Sequence, residues 1–116
     1  MKKTVMIKRR YEFKVLFSKG KISYGNNITL YFRANRLDFN KLGIAVGKKS
    51  GRAVDRNRIK RLIRENYKLF EDNVKCGNHI LISVNKKTDT RNVTFYEIQK
   101  DMEKLLKKSG LWTEQA

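Results

Sequence analysis

The chain of 116 residues has no proline, a single cysteine (Cys76) and a single histidine (His79). One cysteine and one histidine cannot build a disulfide framework or a zinc site, which suits a reducing compartment. The absence of proline argues against a rigid linker. No stretch approaches the ~18 consecutive apolar residues of a membrane span. We therefore expect one cytoplasmic domain over residues 1–116.

Acidic residues are also scarce, with 11 Asp and Glu against 28 Lys and Arg. A metal-dependent protein nuclease needs several carboxylates that converge on a cation, and the acids here share no helix face. A lone histidine leaves no pair for general acid–base catalysis, and no glycine-rich phosphate loop is present. The net charge of +17 instead predicts a polyanionic partner rather than a membrane surface. The composition thus favours binding over catalysis.

Residues 48–68 concentrate this charge, with nine Lys or Arg against Asp55 and Glu65. An apolar stripe at helical spacing runs along the same stretch and consists of Ile59, Leu62, Ile63, Tyr67, Leu69 and Phe70. The opposite arc of the predicted helix consists of Lys60, Arg64, Asn57, Lys68 and Arg61. A solvated surface helix is the alternative, but it would carry balancing Glu at i,i+4 spacing. The pattern favours contact with nucleic acid.

The first half of the chain predicts a helix over residues 7–19 and a strand over residues 27–36. The helix carries Phe13, Leu16 and Phe17 before Gly20, a plausible terminator. In the strand, alternation predicts a core face formed by Ile28, Leu30 and Phe32 and an opposite polar, aromatic and basic face formed by Thr29, Tyr31 and Arg33. Core packing is the ordinary role of aromatic residues at helical spacing such as Phe13 and Phe17, but aromatic side chains among cations are also what single-stranded RNA uses for stacking and neutralisation. The second face of the strand is a further candidate surface for a nucleic-acid strand.

The second half adds a strand over residues 42–46, the basic helix over residues 53–72, a strand over residues 80–84 and a last helix from Thr94 to Gly110. One face of the first of these strands holds only Gly43, Ala45 and Gly47, which predicts either an open trough or a closely packed helix. Thr94 and Glu97 match a capping box, and Trp112 is expected to fold back on the domain. The order α-β-β-α-β-α predicts an α+β sandwich.

A specific resemblance follows from the loop and helix just described. The pattern Lys48-Lys49-x-Gly51-x-Ala53-Val54-x-Arg56-Asn57-Arg58-x-Lys60-Arg61-x-x-Arg64-Glu65 resembles the Arg-Asn-Arg signature of the bacterial ribonuclease P protein subunit. The similarity covers roughly residues 7–108. The chain departs from the usual family pattern at Gly47, at residues 77–79 and at residues 84–86.

The resemblance implies a subunit of a ribonucleoprotein endonuclease that removes the 5′ leader of precursor tRNA. Catalysis would belong to the RNA subunit and to magnesium ions held mainly by that RNA, so no catalytic residue and no protein-bound metal are expected. It also implies a left-handed crossover between parallel strands, against the usual right-handed rule. Partners would be the catalytic RNA and precursor tRNA, without membrane or DNA.

Site residues follow from the resemblance and from the helix and strand patterns together. The leader-binding cleft would contain Phe13, Phe17 and Tyr31, with Thr29 and Arg33 on the same strand face. The surface for the catalytic RNA would comprise Lys48, Lys49, Arg52, Arg56, Asn57, Arg58, Lys60, Arg61, Arg64 and Lys68. Arg56 lies beside the apolar stripe, so capping or snorkelling is its alternative role.

Two other classes remain open from the residues. A ribosomal or RNA-chaperone protein would have the same charge but no leader cleft. A DNA-binding protein would place the basic helix in a major groove, and it would have a scaffold helix and a turn before that helix, where this chain has a predicted strand.

Overall fold

Five strands and three helices follow one another along residues 3–114, the part of the chain that the computed structural model describes. The elements are β1 (Thr4–Met6), α1 (Arg10–Lys19), β2 (Lys21–Tyr24), β3 (Ile28–Ala34), β4 (Asn40–Ala45), α2 (Ala53–Phe70), a 3₁₀ turn (Glu71–Asn73), β5 (Asn78–Val84) and α3 (Phe95–Lys108). The predicted α+β class and the predicted helices and longer strands are confirmed. The short strands β1 and β2 were not predicted.

The strands form one mixed sheet in the order β1-β4-β5-β3-β2. The pairs β1–β4 and β4–β5 are parallel, while β5–β3 and β3–β2 are antiparallel. Because β4 and β5 are parallel neighbours, α2 is the crossover between them, as parallel strands require. The left-handedness of this crossover stays a prediction.

The main core lies between one face of the sheet and helices α2 and α3. Sheet residues such as Leu30, Ile80 and Ile82 pack there against the apolar stripe of α2. The stripe is as predicted with one correction, because Leu69 is 58% exposed. Buried Asn66 also lies within the stripe, and its Nδ2 donates to the carbonyl oxygens of Leu62 (3.0 Å) and Phe95 (3.2 Å).

The alternation in β3 suggested an open face on the opposite side of the sheet. That face is only partly open, because α1 packs on it. Helix α1 begins at Arg10 rather than at residue 7, since Ile7 still follows β1 and its N–H donates to the Leu42 carbonyl (2.8 Å). Ile7, Leu16 and Leu81 form a second, smaller core beneath α1. The sheet therefore has helices on both faces, and only part of the α1 side is available to a ligand.

The C-terminal part agrees with the sequence pattern. Thr94 and Glu97 form the predicted capping box at the start of α3. Trp112 folds back and forms an isolated antiparallel β-bridge with Val74. The centroid of its ring lies 5.7 Å from that of Phe70 and 4.8 Å from Nζ of Lys107. These contacts close the core at the end of α2.

Candidate nucleic-acid interface

Helix α1 crosses one face of the sheet and separates two regions of that face. Leu16 is 1% exposed and points at the sheet. At 3.6 residues per turn, Phe13 and Phe17 then lie on one flank of the helix, and Glu12 and Val15 lie on the other. The two flanks carry different chemistry, aromatic on one side and polar on the other.

The aromatic groove consists of Phe13, Phe17 and Tyr31, with Gly43 and Ala45 in its floor. Phe17 and Tyr31 meet edge to face, with ring centroids 4.8 Å apart and planes at 70°. Phe17 is 44% exposed and the other two rings are half-buried. A Cβ added to Gly43 would lie 2.7 Å from Cε1 of Phe13, so the small residues of β4 admit a closely packed helix. The groove therefore offers partly open rings above a floor of small residues, which suits base stacking.

Two of the five residues predicted for this cleft are placed differently. Thr29 is only 6% exposed, and its hydroxyl donates to Oδ1 of Asn85 at 2.6 Å. Arg33 is exposed but lies on the other flank of α1, near Tyr11 and His79. Strand alternation gave both the correct sheet face, but it could not show where α1 crosses that face.

The polar pocket on that other flank has a volume of about 370 Å³. Oε2 of Glu12 accepts hydrogen bonds there from His79 Nε2 (2.8 Å) and Lys41 Nζ (3.3 Å). Burial alone would raise the pKa of Glu12, but these hydrogen bonds and the nearby charges hold that pKa below its usual value. Sequence reasoning treated His79 as isolated, since a partner 67 positions away in the sequence leaves no local signal.

The loop at residues 47–52 leads directly from β4 into α2, so a strand precedes the basic helix as predicted. Gly51 has φ +103°, a conformation that glycine adopts without strain. Nη1 of Arg56 donates to the carbonyl oxygens of Lys48 (2.6 Å) and Gly51 (3.0 Å). Arg56 thus braces the loop at residues 47–52, and its role toward RNA stays a prediction.

Arg58 makes a second internal clamp. Its Nη2 donates to the Val93 carbonyl (2.7 Å) and its Nη1 to the Thr90 carbonyl (3.2 Å). The Thr90 hydroxyl in turn donates to the Ser50 carbonyl at 2.7 Å. These bonds tie α2, the loop at residues 47–52 and the loop after β5 together, so the Arg58 guanidinium is largely committed to the protein itself.

The remaining predicted residues form an exposed basic surface, called here the basic face. Those on α2 are Asn57, Lys60, Arg61, Arg64 and Lys68, and those on the loop are Lys48, Lys49 and Arg52; Lys60 is half-buried and the rest are exposed. Within residues 3–114, only two long ion pairs involve this set, Arg52 with Asp55 (3.5 Å) and Arg61 with Glu65 (4.0 Å). Exposed pairs of this kind contribute little energy, so the cations remain available to phosphates.

The aromatic groove and the basic face are adjacent along the chain. Ala45 in the groove floor is followed three residues later by Lys48, so the two Cα atoms are at most about 11 Å apart. The two surfaces therefore meet at the loop at residues 47–52.

Among residues 3–114, no group of three or more His, Cys, Asp or Glu side chains is placed to hold a metal ion. Over the same residues, no helix is both long and apolar enough to cross a membrane.

The comparison with known protein families and sequences gives one consistent result. A family model described as ribonuclease P matches residues 1–110. The ribonuclease P protein component of Clostridium kluyveri is 38% identical over 107 residues, covering 91% of this chain and 95% of that protein. The component from Staphylococcus carnosus is 38% identical over 113 residues, covering 97% of this chain and 96% of that protein.

Solved structures give the same result. The Staphylococcus aureus RNase P protein superposes with a TM-score of 0.82 at 31% identity, covering 93% of this chain and 97% of that one. The RNase P protein from Thermotoga maritima superposes with a TM-score of 0.81 at 30% identity, covering 89% and 96%.

Proposed function

This chain belongs to the ribonuclease P protein family, and on that premise we propose that its aromatic groove and its basic face hold two different RNAs. The chain is a protein component of ribonuclease P, which assists removal of the 5′ leader in tRNA maturation together with an RNA subunit. Its partners are accordingly the RNA subunit and precursor tRNA. What remains to be assigned is which side chains meet which RNA.

The aromatic groove is the proposed site for the single-stranded leader. The observation that carries this assignment is the Phe17–Tyr31 pair, in which a 44% exposed ring is fixed at 4.8 Å from a second ring above the small floor of β4. Apolar rings are ordinarily withdrawn into a core, and here the core position of α1 is taken by Leu16. Stacking on such rings tolerates any base, because every base has a π-face.

The basic face is the proposed contact for the RNA subunit. Its residues are Lys48, Lys49, Arg52, Asn57, Lys60, Arg61, Arg64 and Lys68. Exposed cations with long side chains on one helix neutralise phosphates without reading sequence, which suits a large folded RNA. Arg56 and Arg58 contribute indirectly, by fixing the loop and the helix that present these cations.

Catalysis in this proposal belongs to the RNA, with magnesium ions held mainly by RNA phosphates. Magnesium favours oxygen ligands and retains several waters, and the described residues offer it no cluster of carboxylates. The purified protein free of RNA should not cleave precursor tRNA in magnesium, whereas addition of the RNA subunit should start cleavage. Cleavage by the RNA-free protein would contradict this assignment.

The groove assignment is tested by a leader-length series bound to the holoenzyme. Tyr31→Ala should weaken binding of leader-bearing precursor tRNA by about 1–3 kcal/mol, because one stacking surface is lost. It should leave leaderless tRNA unaffected. Phe17→Ala should act in the same direction, and its melting temperature shows whether the ring also supports the fold. Equal weakening of both substrates by Tyr31→Ala would show that the groove does not hold the leader.

A further inference from the structure

The edge strand β2 continues the floor of the aromatic groove. In the register of β2 with β3, Ile22 lies opposite Tyr31 and Tyr24 lies opposite Thr29. Opposed residues of antiparallel strands share a face, so Ile22 and Tyr24 lie on the α1 side of the sheet. Ser23, between them, is buried on the other side. Ile22 is 41% exposed and Tyr24 is 68% exposed, on a strand with no neighbour beyond it within residues 3–114.

Helix α1 bounds the groove on its other side. Helix α1 stands across the sheet, with Leu16 buried beneath it and Phe13 pressed against Gly43. Behind α1, the polar pocket contains the buried carboxylate of Glu12. The Glu12 carboxylate disfavours an approaching phosphate and already accepts hydrogen bonds from Lys41 and His79, while Arg33 also lines this pocket. A strand that enters from the loop at residues 47–52 and stacks at Tyr31 is therefore led outward across β2.

We propose that Ile22 and Tyr24 extend the aromatic groove and hold leader nucleotides upstream of those at Tyr31. This inference rests on the proposed role of the groove. Diagonal neighbours on paired strands lie roughly 7–8 Å apart, so Tyr24 lies within reach of a base near the one at Tyr31. The surface therefore offers an exposed ring on which a base can stack.

The test is the binding of precursor tRNAs with stepwise longer leaders to holoenzyme that contains Tyr24→Ala. Affinity for leaderless and short-leader substrates should be unchanged. Once the leader is long enough to reach β2, affinity should fall about fivefold or more, the smallest effect expected of one stacked base. The loss should set in at a longer leader than the loss caused by Tyr31→Ala. Tyr24→Phe keeps the ring and should restore long-leader affinity.

Two exposed tyrosines provide matched controls. Tyr96 at the start of α3 is 73% exposed, and Tyr11 on the polar flank of α1 is 58% exposed. Neither Tyr96→Ala nor Tyr11→Ala should show a leader-length dependence. The side chains of Tyr24, Tyr96 and Tyr11 are all exposed to solvent, so each alanine variant should keep the melting temperature of the native chain.

The outcomes separate this inference from the groove assignment. No loss with Tyr24→Ala at any leader length would overturn the inference, even if Tyr31→Ala behaved as proposed. A length-dependent loss with Tyr11→Ala instead would overturn it too, since the leader would then leave behind α1. A loss with Tyr24→Ala but none with Tyr31→Ala would support the contact at β2 and refute the groove assignment.

Discussion

The aromatic groove and the basic face are built in opposite ways. The basic face comes from one helix and the loop before it, and its cations project from positions that the sequence alone defines. The groove is assembled from α1, β3 and β4, which only tertiary packing brings together. Its rings are held by contacts such as that of Phe13 with Gly43, whereas exposed cations such as Arg61 have little to hold them. The aromatic groove is therefore shaped for a strand, and the basic face supplies charge.

The two surfaces should differ most in their response to salt. If the leader engages about four cations, its log–log slope of affinity against salt should be near −3, at roughly 0.7 per contact. Binding of the RNA subunit to the basic face should be steeper, because it engages more cations. Both slopes are measured by titration at several salt concentrations. Slopes near zero would show that counterion release does not drive either association.

A comparison of Arg58 with Arg61 distinguishes a side chain that stabilises the fold from one that contacts RNA. Arg58→Ala removes charged hydrogen bonds to the Val93 and Thr90 carbonyls, so it should lower the free energy of unfolding by about 1.5–3 kcal/mol. Arg61→Ala, whose partner Glu65 is 4.0 Å away on the surface, should change that free energy by less than about 1 kcal/mol. Denaturant unfolding measures both. Equal stability of the two variants, with equal loss of RNA affinity, would place Arg58 among the contacts.

Glu12 gives a smaller, pH-dependent effect on the α1 side. Its folded-state pKa is lowered from 4.5, so the carboxylate stabilises the fold above that pH and the contribution disappears as pH falls through the folded pKa. The difference in unfolding free energy between the native chain and Glu12→Gln should thus be largest near neutral pH and shrink in acid. A difference that grows below pH 4.5 would show that the pairing with His79 and Lys41 is not stabilising.

The contrast also explains what the sequence could predict. The stripe and the basic arc of α2 have a 3.6-residue period, so the helix and its exposed cations were predictable. The capping box at Thr94 was too, because all its partners lie within four residues. The site of α1 on the sheet depends on contacts between residues far apart, such as Glu12 with His79. For the same reason, the sequence pattern predicted the correct sheet face for Thr29 and Arg33 but not their neighbours on that face.

Strand β2 was missed for a different reason. Its four residues offer too little alternation to stand out, and it is held mainly by pairing with β3. The internal bonds of Arg56 and Arg58 show the limit of charge patterns. A run of cations indicates a polyanion partner, but it does not distinguish a side chain that contacts RNA from one that fixes the loop beside it.

The central claim is that the two surfaces hold different RNAs, and one crossed measurement tests it directly. Holoenzymes containing Tyr31→Ala or Arg61→Ala are compared for assembly with the RNA subunit and for affinity toward leaderless and leader-bearing substrates. Tyr31→Ala should lose affinity only for leader-bearing substrate and assemble normally. Arg61→Ala should impair assembly and leave the energetic contribution of the leader unchanged. Both variants weakening assembly and leader binding to the same extent would contradict the division between the two surfaces.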